Sequence, residues 1–309
     1  MTRLGWAATA PLRLATRVRR LGSARWPRLP APSVCVGNLA LGGRGKTPLV
    51  AGLAAALPGR VGVIARGYPV TSRSAPPRLL LCTRPHGAPW LAELSLDGRA
   101  PVPAWRLASE VGDEAPWLAA VTGAPVAVHP DRIAAASALS AAYDVDLLFL
   151  DDGLQAPVHA DLDVVLVDPD RDLRRRAMLR EGLDAHSHAL VVPVGGHSAQ
   201  LRRRVGGLRD LRTGAEVSAP EGPVCLAAAV GDPASVRALA TQAGVPIGSE
   251  LRLRDHHGPR RAPRGPLLVT EKDAVGWAME RGSEAVVLGL RLDGVEEVAD
   301  AVSHRLAAL

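Results

Sequence analysis

One of the chain's two lysines lies in a glycine-rich run that could bind phosphate. The run is Gly42-Gly43-Arg44-Gly45-Lys46-Thr47-Pro48, and it follows the apolar residues 33–36. Since the chain has thirty-five arginines, a retained lysine indicates a place where a compact ammonium fits better than a guanidinium. Glycines let backbone N–H groups turn toward an anion at a helix N-terminus, where Lys46 could reach the phosphates and Thr47 could bind Mg²⁺. The strict P-loop pattern would have glycine in place of Ala40, and the alternative is a turn without a ligand.

Two adjacent carboxylates follow a second apolar run. Residues 147–150 are Leu-Leu-Phe-Leu, and Asp151, Asp152 and Gly153 come next. Open α/β sheets bind ligands at the carboxyl ends of their strands, and a carboxylate there can hold Mg²⁺ beside a nucleotide. Successive strand residues point to opposite faces, so only one of the two acids would contact the ion directly without a bend. The pattern does not say which one, and an ordinary Asp-Asp-Gly turn is the alternative.

The elements that must position these residues alternate along the chain. Apolar runs predict strands at 33–36, 61–65, 78–82, 125–128, 146–150, 164–167 and 189–192. Helices are expected at 47–57, near 114–122 and at 131–142. This alternation predicts an α/β fold with a mostly parallel sheet and helices on both faces.

The C-terminal part of the chain predicts a second, smaller series of strands and helices. A helical stretch at 200–211 leads to a Gly/Pro-containing break at 219–222. Segments of the second series are expected at 224–229, 236–243, 267–270 and 285–290, with a final helix from Val295. We therefore expect an N-terminal segment at 1–30, a P-loop NTPase-like domain at 31–195 and a smaller α/β domain at 196–309.

Composition excludes several classes of protein. The chain has 309 residues and is 47% hydrophobic, which indicates a folded protein with a substantial core. One Phe and two Tyr argue against a protein that binds nucleic acid by base stacking. The three cysteines are scattered, which favours core residues in a reducing compartment over disulfides or a metal site.

Positive charge is concentrated at the N-terminus. Residues 1–92 carry fourteen basic side chains and no acidic one. Within residues 1–30, apolar side chains recur at helical spacing while Arg13, Arg17 and Arg20 share the opposite side, which is typical of an amphipathic helix at an anionic membrane surface. A solvated basic helix and a removable transit peptide are the alternatives. No apolar run is long enough to predict a spanning helix.

Seven short motifs are distributed over most of the chain. They are Val36-Gly37-Asn38, Gly42–Pro48, Arg66-Gly67-Tyr68, Gly112-Asp113-Glu114, Asp151–Gln155, Asp255-His256 and Thr270–Val275. Together they resemble the tetraacyldisaccharide 4′-kinase family, the lipid A 4′-kinases of bacteria. The Asp-Asp-Gly-Leu-Gln and Thr-Glu-Lys-Asp motifs are specific to that family, and its loop also lacks the first P-loop glycine.

The resemblance implies transfer of the γ-phosphoryl group of ATP to the 4′-hydroxyl of a tetraacyldisaccharide 1-phosphate. Together with the basic N-terminal segment, such a lipid acceptor predicts peripheral binding to the cytoplasmic face of an inner membrane. The resemblance also implies that Asp113 is the catalytic base and that His256 orients it. Without the resemblance, Asp113 reads as a helix N-terminal acid, and His256 as part of a surface loop or a metal ligand. Arg66 and Arg180 would contact anionic groups of ATP or the acceptor.

Two departures from the family pattern concern the lipid acceptor. Arg174–Met178 replace the usual Pro-Ala-Gly-Pro before Leu179-Arg180-Glu181, and Ala156–His159 replace a basic cluster. A non-catalytic nucleotide-binding relative, or one with another substrate, therefore stays an alternative. A P-loop GTPase is disfavoured because Thr270–Asp273 has its lysine one place too late for guanine recognition.

Overall fold

The computed structural model describes residues 26–40, 43–67, 72–169, 188–194, 199–254, 257–259 and 265–308. They form two compact units, each assembled from separate segments. The first unit combines the segment ending at Arg66 with Asp131–Arg202 and the residues from Leu292 onward. The second combines Gly67–Pro130 with Arg203–Arg291. Residues from both sides of position 195 contribute to each unit, and the boundaries expected near 30 and 195 stay predictions.

The elements are numbered in chain order within the described residues. The strands are β1 (Ser33–Asn38), β2 (Val61–Ala65), β3 (Arg78–Arg84), β4 (Glu93–Leu96), β5 (Val102–Pro103), β6 (Val126–Val128), β7 (Leu147–Asp151), β8 (Leu162–Val167), β9 (Leu190–Pro193), β10 (Arg202–Asp210), β11 (Val224–Ala228), β12 (Ile247–Arg252), β13 (Leu267–Thr270) and β14 (Ala285–Asp293). The helices are α1 (Lys46–Ala56), α2 (Ala108–Val111), α3 (Glu114–Thr122), α4 (Arg132–Ala142), α5 (Pro233–Gln242), α6 (Glu271–Asp273) and α7 (Val295–Ala307).

The first unit is built on a parallel sheet with the strand order β2-β7-β1-β8-β9. Every residue of β1 and β7 is buried, as expected for central strands covered on both faces. Helix α1 packs closely on α7, as Gly52 shows: a Cβ added there would lie 2.8 Å from Val295 Cγ1. Because β1 and β7 are parallel neighbours, their carboxyl ends lie side by side at one edge of the sheet.

The second unit contains two groups of strands. The order β5-β4-β3-β6 is antiparallel at each pairing. A five-stranded sheet has the order β10-β14-β13-β11-β12, with parallel pairing from β14 to β12. Leu226, Leu268 and Leu288 of this sheet form one hydrophobic core with Leu239 of α5.

The predicted α/β class is confirmed, whereas the helix expected at 200–211 is wrong. That stretch is mostly the strand β10, whose neighbour in the sheet is β14. Gly206 and Gly207 disfavour a helix, and Gly207 has φ 105°. Gly206 also lies close to β14, since a Cβ added there would lie 3.2 Å from the carbonyl carbon of Gly289. Pairing with β14 therefore overrides the local helical pattern. The strands β4, β5 and β12 were not expected, although β4 alternates between half-buried and buried residues.

Two further expectations concern the cysteines and the membrane. All three cysteines are free, and burial raises the pKa of the Cys35 thiol well above its ordinary value. No helix among the described residues has the length and apolar character needed to cross a bilayer. The expected amphipathic helix falls mostly within residues 1–25, which lie outside the described residues.

Candidate functional site

The glycine-rich loop of the first unit connects β1 to α1. Gly45 is the N-cap of α1 and has φ 88° and ψ 23°, a left-handed conformation that glycine adopts at little cost. Lys46 and Thr47 are consequently the first residues of the helix. Unpaired N–H groups and the helix dipole favour an anion there. Gly43 belongs to the described part of this loop, whereas Gly42 lies outside the described residues.

The ammonium of Lys46 is held at the end of β1. Its Nζ donates a 3.0 Å hydrogen bond to Asn38 Oδ1 and lies 3.6 Å from Asp152 Oδ1. Asn38 is fully buried, and its Nδ2 donates a 2.9 Å hydrogen bond to the carbonyl of Ala40. One amide therefore positions both the ammonium and the start of the loop. No role for Asn38 follows from the motifs alone, although a polar residue that ends a buried strand before such a loop was the available signal.

Asp151 lies beside Thr47 because β1 and β7 are parallel neighbours. Val36 pairs with Asp151 in the sheet, and Thr47 Oγ1 donates a 2.8 Å hydrogen bond to Asp151 Oδ2. Asp151 is 4% exposed, so this carboxylate is screened less by water than a surface group.

Asp152 turns away from the strand that ends at Asp151. It has φ 53°, and its N–H donates a 3.0 Å hydrogen bond to the Val36 carbonyl. A positive φ is uncommon for a residue other than glycine. The bend sends the two carboxylates to different partners: Asp151 contacts the Thr47 hydroxyl, and Asp152 contacts the Lys46 ammonium.

The oxygen donors at this sheet edge fit Mg²⁺. Hydroxyl and carboxylate oxygens are ligands that this ion accepts, usually with one or two carboxylates completed by water and phosphate oxygens. No group of three or more His, Cys, Asp or Glu side chains among the described residues could hold a metal by itself. The Thr47 hydroxyl and the two carboxylates thus suit an ion whose remaining ligands are water and phosphate oxygens.

Two arginines add positive charge at the same end of the first unit. Arg132 begins α4, is 4% exposed and places one guanidinium nitrogen 3.5 Å from the Asp151 carbonyl. Burial lowers the pKa of Arg132, while the charges of Asp152 and Asp151 act in the opposite direction. Arg66 follows β2 and is exposed. Its positive charge, like burial, lowers the pKa of Arg132. Arg66 was predicted as an anion contact, whereas Arg132 was not predicted because it belongs to none of the motifs.

A second group of charged residues lies in the second unit. Asp113 precedes α3, is buried, and makes no capping hydrogen bond with its side chain. Its Oδ2 lies 3.7 Å from Lys272 Nζ, which also lies 3.4 Å from Glu114 Oε1. The carboxylate therefore does not serve as a helix cap, the role its position alone suggests. His256, predicted to orient Asp113, and Arg180, predicted to contact an anionic group of ATP or the acceptor, lie outside the described residues.

Comparisons with known proteins give one consistent result. The family model described as tetraacyldisaccharide-1-P 4′-kinase matches residues 1–88 and 95–307. The tetraacyldisaccharide 4′-kinase of Alkalilimnicola ehrlichii is 36% identical over 296 residues, which cover 86% of this chain and 80% of that protein. The tetraacyldisaccharide 4′-kinase of Shewanella sp. (strain ANA-3) is 32% identical over 287 residues, which cover 85% and 78%.

A solved structure shares the fold. It is a crystal structure of LpxK from Aquifex aeolicus, described as an "apo" form in complex with ATP. The TM-score is 0.68 at 22% sequence identity, and the match covers 97% of this chain and 98% of the other. The Aquifex aeolicus protein and this chain therefore have the same α/β architecture.

Proposed function

Because the chain belongs to the tetraacyldisaccharide-1-P 4′-kinase family, we propose that it transfers the γ-phosphoryl group of ATP to the 4′-hydroxyl of a tetraacyldisaccharide 1-phosphate. This is a step of lipid A biosynthesis. The observation that supports it best is the placement of Lys46 and Thr47 at the start of α1, directly beside Asp152 and Asp151. In P-loop enzymes such a loop binds the phosphates of a nucleotide, and such an acidic strand end holds the Mg²⁺ that accompanies them.

The nucleotide phosphates would bind at the N-terminus of α1. Backbone N–H groups of Gly42, Gly43 and Gly45 would surround them, and the Lys46 ammonium would neutralise the β- and γ-phosphates. Thr47 and Asp151 would hold Mg²⁺, with Asp152 nearby. That ion, when bound, supplies charge neutralisation for the phosphates. The buried Asn38 keeps Lys46 aimed at this position.

Asp113 would act as the proton acceptor. As the acceptor hydroxyl oxygen forms its bond to the γ-phosphorus, its proton passes to the Asp113 carboxylate, and the bond to the β-phosphate oxygen breaks with its electron pair going to ADP. His256 would orient Asp113. Arg66 and Arg180 would contact anionic groups of ATP or of the lipid 1-phosphate.

The lipid acceptor places the reaction at a membrane. We propose peripheral binding to the cytoplasmic face of a bacterial inner membrane through the basic residues 1–30. Each arginine near the membrane surface would contribute about 1 kcal/mol to binding through its attraction to anionic headgroups.

Acceptor-dependent turnover tests the proposal. ADP release should require both ATP and tetraacyldisaccharide 1-phosphate, and Asp113→Ala should lower kcat by roughly 10²-fold or more. Asp300→Ala is the matched control because Asp300 is exposed on α7, and it should leave kcat unchanged. Turnover without any dependence on the acceptor would instead favour a nucleotide-binding relative, and an active Asp113→Ala variant would reject Asp113 as the base.

A further inference from the structure

Lys272 bridges two carboxylates at the N-terminus of α3. Its Nζ lies 3.7 Å from Asp113 Oδ2 and 3.4 Å from Glu114 Oε1. The Asp113 side chain is 11% exposed and that of Lys272 is 21% exposed, so water screens this pair less than a surface ion pair. A cation beside a carboxylate favours its ionised form. For Asp113, that is the form able to accept a proton.

Gly276 approaches the same carboxylate from the other end of the segment that carries Lys272. A Cβ at position 276 would lie 3.2 Å from Asp113 Cβ and 3.4 Å from its Oδ2. Gly276 lies in a π-helical turn over Ala274–Ala278, and such turns are frequent at functional sites. The missing side chain lets the backbone of this turn lie close against Asp113.

Buried hydrogen bonds hold the segment around Lys272 in place. Thr270 and Asp273 form a capping box around α6. Asp273 Oδ1 also accepts hydrogen bonds from the Ala229 N–H at 2.9 Å and from Trp277 Nε1 at 3.2 Å. Asp273 therefore joins the start of the segment to its π-helical turn and to the end of β11.

Glu271 connects the segment to the helix that follows Asp113. Its Oε2 accepts a 3.1 Å hydrogen bond from Trp117 Nε1, and its Oε1 lies 3.1 Å from an Arg291 guanidinium nitrogen. Trp117 belongs to α3. Glu271 and Asp273, the neighbours of Lys272 in the sequence, thus bind other partners. The Lys272 ammonium makes its contacts with Asp113 and Glu114 independently of these two acids.

We infer that Lys272 is a positioning residue for Asp113, and that Thr270–Ala278 is the rigid segment that holds both the ammonium and the supporting Gly276 backbone against it. The inference rests on the proposed role of Asp113 as proton acceptor. It assigns the Thr-Glu-Lys-Asp motif a task within the second unit, distinct from the binding of phosphate by Lys46.

Charge and support can be separated with two variants. Lys272→Met removes the ammonium at similar length, and we expect kcat to fall roughly 10- to 100-fold, the cost of misplacing a catalytic group. KM for ATP should stay within about twofold, since the binding contacts of the nucleotide are not removed. The acid limb of the kcat/KM profile should move to higher pH, because Asp113 would be protonated more easily. Lys272→Arg should restore that limb and part of kcat.

Gly276→Ala keeps the charge but adds a methyl group against Asp113. We expect a lower kcat with the acid limb unmoved. Arg281→Met is the matched control, because Arg281 is an exposed cation just beyond the segment; it should change neither quantity. The unfolding temperature of each variant identifies any loss caused by misfolding, and Lys272→Arg retains a readout if Lys272→Met does not fold.

A double-mutant cycle shows whether Lys272 acts through Asp113. In the Asp113→Ala background, Lys272→Met should have almost no further effect on kcat. If Lys272→Met lowers kcat equally in the native and the Asp113→Ala backgrounds, or leaves both kcat and the pH profile native, the positioning role of Lys272 is rejected while the proposed role of Asp113 stands. Full turnover by Asp113→Ala would instead overturn the assignment of the base, and this inference with it.

Discussion

The hydroxyl of Thr47 donates a 2.8 Å hydrogen bond to Asp151 Oδ2, whereas Asp152 lies 3.6 Å from the Lys46 ammonium. The sequence alone does not assign separate tasks to the two adjacent acids. The positive φ of Asp152 explains the difference, since it ends the strand and sends the second carboxylate elsewhere. We therefore propose Asp151 as the carboxylate closest to Mg²⁺ and Asp152 as a partner of Lys46.

Asp151→Asn should change the magnesium dependence of turnover more than Asp152→Asn does. Loss of a carboxylate that holds or orients a metal ligand costs about 10- to 100-fold in metal affinity or activity. The measurement is the Mg²⁺ concentration that gives half-maximal turnover at saturating ATP. Asp300→Asn on α7 is the control. A larger increase for Asp152→Asn would reverse the assignment.

Asn38→Ala should weaken ATP binding. The variant removes the acceptor for Lys46 Nζ and the donor to the Ala40 carbonyl. A buried polar group left without its partner costs about 1–3 kcal/mol, which corresponds to an increase of roughly 5- to 160-fold in the Kd for ATP. Titration calorimetry measures this Kd. Thr241→Ala, which removes an exposed hydroxyl from α5, should leave it unchanged, and an unchanged Kd for Asn38→Ala would reject the positioning role.

Asp273→Asn should destabilise the fold. The carboxylate accepts hydrogen bonds from Thr270, Ala229 and Trp277, and an amide would turn a donor toward some of these donors. The free energy of unfolding should fall by about 1–3 kcal/mol for each buried group left unpaired. Urea unfolding measures it, with the exposed Asp300→Asn as the reference.

The same residue predicts a dependence of stability on pH. Burial raises the pKa of Asp273 above its ordinary value of 3.8, although its hydrogen bonds act in the opposite direction. Because the pKa in the folded state is the higher one, this contribution to stability is full below pH 3.8 and is lost as pH rises through the folded-state value. The unfolding free energy of the native chain relative to Asp273→Asn should therefore be smaller at pH 7 than at pH 4.5. The opposite order would contradict the shift.

Residues 1–25 should mediate sedimentation with anionic vesicles. A variant that lacks them leaves Arg28 in place, which pairs with Asp161 at 3.1 Å. We expect this variant to remain in the supernatant, and replacement of Arg13, Arg17 and Arg20 by Gln to weaken binding by several kcal/mol in total. Binding should fall with added salt and be weak on neutral vesicles. Equal sedimentation of the native and shortened chains would reject the membrane role.

Local sequence patterns predicted most of the first unit. Buried strands are continuous apolar runs, so β2 was predicted at its observed bounds and β1 and β7 within about two residues at each end. Glycines before Lys46 and helix-forming residues after it indicated the phosphate loop. Where sheet pairing and local preference disagree, as in β10, the local pattern was wrong, because the partner strand lies far along the chain.

By itself, the sequence determined the α/β class, the phosphate loop, the acidic strand end and the likeness to the kinase family, since each is read from short runs of neighbouring residues, even where several runs are spread along the chain. Only the tertiary structure decided which partner each functional side chain has. Thr47 and Asp151 are 104 residues apart, and Glu114 and Lys272 are 158 residues apart. Such contacts depend on strand order and register and on the packing of separate segments, which no local pattern encodes.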